Sequence, residues 1–275
     1  MSDHTMQAEE LEIDVTEVEM DPNDDVLGGS APLELMQAAP GRAASVSRGS
    51  TMQRETRLHR LMPYTLTLSV EDVAQCEIVE NEAFPPHERA SRDKFIYRLR
   101  KCSGLCYGVF TTVDPHLESD RDDLSAPTYA VAPPVETSSE RRRVLLGHIV
   151  ATLSTNDLIK DEDMDLPSDW QSSTPASSNL GHKPHGRTLM VHSLAVLPEY
   201  QGKGVGTLLM GGFIKRMREA SIADRIALLA EDGLVPFYNS LGFDHLGESA
   251  ATFGGVRWKD MVYDFTAISP ASGSD

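Results

Sequence analysis

Gln201-Gly202-Lys203-Gly204-Val205-Gly206 is the segment whose residue types and spacing point most directly to ligand chemistry. Alternating glycines let a backbone turn sharply and approach a ligand closely. The segment follows an apolar, β-prone run, Leu189 to Val196. It precedes an amphipathic pattern with Val205, Leu209, Phe213 and Met217 at steps of four. That order reads as strand, loop, helix. The free N–H groups and dipole of a helix start favour an anion, so the loop is expected to seat a phosphate or pyrophosphate. It is not a P-loop, because Gly202-Lys203 runs into Gly204 and not into Ser or Thr. The dinucleotide pattern GxGxxG also fails: its third glycine would fall on Thr207 or Leu209.

Histidines and cysteines add less. His182 and His185 form an HxxH, with His192 further on, but no helix pattern or acid partner supports a metal site and none is expected. Cys76, Cys102 and Cys106 are odd in number and lack CxxC spacing. They read as reduced thiols in or near a core.

The elements that must hold the loop are legible in outline. PYTLTL, after Met62, alternates as a half-buried strand does. Ser69 and Asp72 form a capping box, and Val73, Cys76, Val79 and Ala83 make one apolar face ended by Phe84-Pro85-Pro86. A second helix is expected from Ser91 to Lys101. Strands are expected at Leu105–Val113, Val144–Leu153, Leu189–Val196 and Arg225–Ala230, and at Phe243–Glu248 and Val256–Phe265 as a hairpin around Phe253-Gly254-Gly255. Leu234–Leu241 reads as a short helix stopped by Gly242. The polar stretches 114–143 and 154–187 are read as insertions at strand ends. The fold class is α/β, one domain over residues 61–267 with a mixed, mostly antiparallel sheet flanked by helices.

Bulk properties exclude several classes. The net charge is −17, which disfavours a nucleic-acid-binding face. Residues 1–60 carry twelve acids against five bases and almost no aromatics; they read as a disordered acidic tail, as do the small polar residues 268–275. Within the first tail, LEIDVTEVEM is amphipathic enough to fold on a protein partner. No apolar run reaches the roughly 18 residues that span a bilayer, and the first residues do not form a secretory signal. The expected location is the cytoplasm, with no membrane partner.

Gln201-x-x-Gly204-x-Gly206, placed between strand and helix, resembles the acetyl-CoA signature of the GNAT superfamily. VHSLAVLPEYQGKGVG followed by ALLAEDGLVPFYNSLGF resembles the arylalkylamine N-acetyltransferase family, and CEIVENEAFPPHERAS resembles fungal members of that group, which include polyamine acetyltransferases. The resemblance implies a GNAT fold with two splayed central strands and direct transfer of acetyl from acetyl-CoA to a small primary amine. It implies that Leu194, Ala195 and Val196 line the thioester and that backbone N–H groups of Gln201, Gly202, Lys203, Gly204, Val205, Gly206 and Thr207 hold the pyrophosphate. An amine of pKa near 10.4 must shed a proton before it attacks. His192 is the expected base, although Met190 stands where the family has a first histidine. Tyr238 is expected to protonate the departing thiolate. Glu88, Ser91 and Glu231, with Asp232 beside it, are expected around the amine, and Glu88 is also a catalytic candidate that would hold the ammonium or take its proton. Two alternatives stay open: a protein lysine or N-terminal acetyltransferase, and a non-catalytic acetyl-CoA-binding regulatory protein.

Overall fold

A computed structural model of the chain describes residues 61–172 and 178–266. The expectations for the acidic tail and for residues 268–275 lie outside the described residues. Ser69 accepts the Glu71 N–H while the Asp72 carboxylate accepts the Ser69 N–H, so the capping box forms and starts a short turn, Val70–Asp72. Helix α1 (Val73–Ala83) follows and buries Val73, Cys76 and Val79. Phe84 is extended and ends it, as the Pro85-Pro86 pair requires. Helix α2 (Arg92–Cys102) is capped by Ser91 and buries Phe95 and Leu99.

Strands β1 (Tyr64–Thr67), β2 (Tyr107–Val113), β3 (Pro134–Val135), β4 (Ser138–Ser154), β5 (Thr188–Val196), β6 (Arg225–Ala230), β7 (Asp244–Glu248) and β8 (Lys259–Asp264) build a single sheet in the order β1-β2-β4-β5-β6-β8-β7, with β3 paired to β4. Every pairing is antiparallel except β5 with β6. Short helix α3 (Asp161–Met164) lies between β4 and β5. Helix α4 (Val205–Ala220) links β5 to β6, the connection that a parallel pair needs. It buries Val205, Leu209, Phe213 and Met217 against β2, β4 and β5, each such side chain contributing about 1.5–3 kcal/mol. Helix α5 (Val235–Ser240) precedes β7.

The structure corrects two boundaries. β4 begins at Ser138, so residues 138–143 are strand and not insertion. Charged side chains hid this: Arg142 donates to Ala132 O at 2.6 Å, and Arg143 lies 4.8 Å over the Phe110 ring and 3.3 Å from Asp72. β7 and β8 pair, but residues 249–258 join them as a longer connection carrying a turn at Phe253–Gly255, not a tight hairpin. All three cysteines are buried and unpaired.

β5 and β6 pair only from Thr188–Arg225 to Val191–Leu228. Beyond that point β5 runs on to Val196 without β6, so the two central strands part. At the same place the β4–β5 register slips: Val150 faces Ser193 while Ala151 faces Val191, which leaves His192 as the extra residue of a β-bulge.

Candidate active site

A pocket of about 550 Å³ opens where β5 and β6 part. His192 and Leu194 reach it from β5, Tyr238 from α5, Glu231 from the end of β6 and Glu88 from the loop after α1. Chain segments far apart in sequence thus bring together four of the expected chemical groups. Ser91 and Asp232 are not among the lining residues. The Ser91 hydroxyl caps α2 by accepting the Lys94 N–H at 3.3 Å, and Asp232 faces Lys259 at 3.5 Å.

The Glu88 side chain is only 6% exposed and sits 3.3 Å from His87 Nε2. Burial raises its pKa above the ordinary carboxylate value. The charge of Glu231 raises it further, against a smaller lowering by His87. Tyr238 is buried against Phe237 and Phe243, with ring centroids at 5.0 and 5.6 Å. Its hydroxyl has no hydrogen bond to any described residue, and burial pushes its pKa well above that of a free phenol. The phenol therefore keeps its proton at neutral pH.

His192 is engaged at both ring nitrogens. Nε2 lies 2.8 Å from Thr152 Oγ1, and Nδ1 lies 3.4 Å from Met164 Sδ. A thioether can only accept, so Nδ1 carries the proton and Nε2 takes the Thr152 hydroxyl. Burial lowers the imidazole pKa well below its usual value, helped by the nearby charges of Arg98 and Lys94. Both nitrogens are engaged and the ring is neutral. Met164 is brought here by the segment 154–187: Arg98 Nη2 donates to Met164 O at 3.0 Å, and buried Asp163 accepts from Ser154 Oγ at 2.6 Å. Asp161 ties the same segment to Thr252, beside Phe253 in the pocket wall. His182, from the HxxH, accepts the Leu153 N–H at 3.1 Å through Nδ1.

The glycine loop 201–206 is built from the left-handed residues Gly202 (φ 65°) and Gly204 (φ 85°). Gly204 caps α4, and its carbonyl accepts the Leu208 N–H at 2.9 Å. The N–H groups of Val205, Gly206 and Thr207 precede that first helical bond and have no helix partner. A Cβ on Gly206 would meet Phe237 and Val196 only at 3.6 and 3.9 Å. Packing therefore tolerates a side chain there, and glycine leaves open space before the helix start. The Gln201 N–H is spent on Pro198 O, and its side chain donates to Val196 O at 2.9 Å, fastening the loop to the strand. The Lys203 ammonium bonds Glu199 O and lies over the Tyr200 ring. Leu197 N–H donates to Leu146 O on β4. By strand alternation the N–H groups of Val196 and Leu194 turn to the opposite edge, which β6 has left. Anion-seeking loop and open strand edge together fit a long, flexible, pyrophosphate-bearing thioester.

Sequence reasoning missed three polar residues beside the pocket: Glu80, His148 and Ser193, buried at 2%, 0% and 4% exposure. A signal was present. Glu80 lies four residues after Cys76 and interrupts the apolar face of α1, and His148 interrupts the apolar run of β4.

Residues 145–265 match the family model described as acetyltransferase (GNAT) domain. Over 80 residues the chain is 34% identical to serotonin N-acetyltransferase of Mesocricetus auratus, covering 29% of this chain and 39% of that protein. Over 93 residues it is 32% identical to the uncharacterized N-acetyltransferase YkwB of Bacillus subtilis (strain 168), covering 34% of this chain and 38% of that protein. The chain thus spans about two fifths of the length of these relatives. The fold is similar to the loading GNATL domain of CurA from Lyngbya majuscula: TM-score 0.50 at 12% identity, over 74% of this chain and 98% of that domain. Residues 145–265 are thus similar to an acetyltransferase (GNAT) domain, and the chain has the GNAT fold.

Proposed function

We propose that this chain is an N-acetyltransferase that moves the acetyl group of acetyl-CoA to a small primary amine, an arylalkylamine or a polyamine. The observation that carries the reading is the pocket at the strand parting. It gathers two carboxylates, Glu88 and Glu231, and a phenol, Tyr238, that has no hydrogen-bond partner among the described residues, beside an anion-seeking loop.

Acetyl-CoA supplies an activated acyl carbonyl. The N–H groups of Val205, Gly206 and Thr207 hold its pyrophosphate, and those of Leu194 and Val196 are placed for its arm and for a developing oxyanion. Glu88 and Glu231 attract the substrate ammonium. Glu88, with its raised pKa, is a stronger proton acceptor than an ordinary carboxylate and takes the proton whose loss makes the amine a nucleophile. Tyr238 protonates the thiolate as it leaves. Phe84, Phe253 and Trp258 give the pocket an aromatic wall suited to an arylalkyl group. The serotonin N-acetyltransferase relatives favour that arm over the polyamine one.

Thiol release from acetyl-CoA by purified protein tests this, across tyramine, tryptamine, spermidine, putrescine and a lysine peptide. Fast turnover on tyramine or tryptamine is the expected result. Acetyl-CoA binding with no release on any small amine would overturn the reading, and preference for the peptide would replace it with protein acetylation.

A further inference from the structure

Glu80 on α1, His148 on β4 and Ser193 on β5 form a closed polar triangle at the inner wall of the pocket. Ser193 Oγ donates to Glu80 Oε2 at 2.7 Å. His148 Nε2 lies 3.2 Å from that oxygen and 3.0 Å from Ser193 Oγ. The other Glu80 oxygen accepts the Ala90 N–H at 2.8 Å. Since the Ser193 proton points at Glu80, His148 Nε2 carries its own proton toward the pair, and Nδ1 faces away from it. That nitrogen is sealed from solvent with no partner among the described residues. A cluster serving only to anchor helix to sheet would be expected to satisfy every buried atom. Two of the three groups, Glu80 and Ser193, also line the pocket. His192 offers no free nitrogen there, as shown above. Facing the cluster are Cys76 on α1 and the buried Arg98 on α2, with His192 on β5 and Glu88 across the pocket.

Acetylating an ammonium releases two protons from nitrogen, one before attack and one as the amide forms. Glu88 can take the first. We propose that Ser193 and Glu80 take the second: Ser193 is a catalytic hydroxyl, Glu80 the acceptor behind it, and His148 a positioning residue that holds both. The proposal rests on the N-acetyltransferase reading. As nitrogen bonds to the acetyl carbonyl carbon and the carbon–sulfur bond breaks, one of the two protons left on nitrogen passes to Ser193 Oγ and the other stays in the amide. The Ser193 hydroxyl proton passes to Glu80 Oε2. The Tyr238 proton goes to the leaving sulfur, and the proton on Glu80 returns through Ser193 and solvent to Tyr238. Glu88 gives its proton to solvent. Ammonium and thioester thus become amide, thiol and one released proton, and every protein group ends as it began.

The test uses the full chain, acetyl-CoA, and whichever of tyramine, tryptamine or spermidine the wild type turns over fastest, from pH 7 to pH 10. Ser193→Ala should lower kcat on the order of 10²-fold at pH 7, with the KM for acetyl-CoA and the melting temperature near wild type. The loss should shrink toward pH 10 as hydroxide replaces the relay. Ser193→Ala combined with Glu80→Gln should be no slower than the worse single variant, because the two act as a unit. A Ser193→Ala rate within twofold of wild type, or a loss constant across pH, would overturn the proposal while the N-acetyltransferase reading stands. A wild type that binds acetyl-CoA and acetylates none of the three amines would overturn both.

Discussion

Replacing Tyr238 by phenylalanine isolates one oxygen. The ring is packed on two sides by Phe237 and Phe243, and phenylalanine keeps those edge contacts. The hydroxyl has no partner among the described residues, so its removal strands no buried donor or acceptor. The stability change should therefore stay within about 0.5 kcal/mol. Catalysis is another matter if the phenol protonates the thiolate. General acids contribute roughly 10²- to 10⁴-fold, or about 3–5 kcal/mol of barrier at about 1.36 kcal/mol per tenfold. Because burial raises the Tyr238 pKa above that of a free phenol, the group stays protonated through pH 10. Wild-type kcat should thus show no basic limb from this residue below that pH. The assay is thiol release at saturating acetyl-CoA and amine, with acetyl-CoA affinity measured separately by calorimetry. Tyr238→Phe should lose at least two decades in kcat with affinity unchanged within about threefold. A rate equal to wild type would refute the assignment, and a matching loss of affinity would make the tyrosine part of the binding surface instead.

The other expectations are as follows. The Glu231 charge raises the Glu88 pKa and His87 lowers it, so Glu231→Gln should move the acid limb of kcat/KM to lower pH and His87→Ala should move it to higher pH. Equal limbs in all three proteins would remove Glu88 from the chemistry. His192 is already neutral and engaged at both nitrogens, so His192→Ala should lower turnover by a similar factor at pH 7 and pH 9; a loss confined to the lower pH would restore it as the base. Gly204→Val places a β-branched residue at φ 85°, a strain of about 1–2 kcal/mol. It should lower the melting temperature and weaken acetyl-CoA binding, and normal affinity would mean the loop does not hold the pyrophosphate. Acetyl-CoA at a hundredfold excess over its Kd should add about 2.7 kcal/mol of stability, read as a rise in melting temperature, and no rise would refute binding to the folded chain.

What could be read in the sequence was what is encoded locally. The glycine loop, the Ser69 cap, the proline stop after Ala83 and the apolar stripe of α4 each depend on residues within a few positions of one another. The first six residues of β4 were hidden because their arginines find partners only in the fold, on Tyr129, Phe110 and Asp72. The bulge at His192 was invisible for a related reason: it is a property of register against β4, and no residue type marks it. Glu80 and Ser193 stand 113 positions apart, so their meeting follows from topology. A sequence offers only the hint of a charge or an imidazole where an apolar side chain belongs.

Parting and bulge have a common consequence. In an unbroken sheet β6 would pair the backbone of β5 up to Val196, and no ligand could reach it. Ending the pairing at Val191 frees the N–H groups of Leu194 and Val196, and an amide left unpaired in an apolar interior costs about 1–3 kcal/mol. The fold limits that cost. Gln201 Nε2 returns to cover Val196 O, so the acceptor is satisfied and the donors remain open. The bulge inserts one residue at the same level, which resets the alternation of β5. Side chains before it follow the pairing with β6, and Ser193 after it is turned to Glu80 and His148. Ser193, Leu194 and Val196 thus share the stretch of β5 that lies after the bulge and beyond the last pair with β6, which sets the open N–H groups and the polar triangle beside the same cavity.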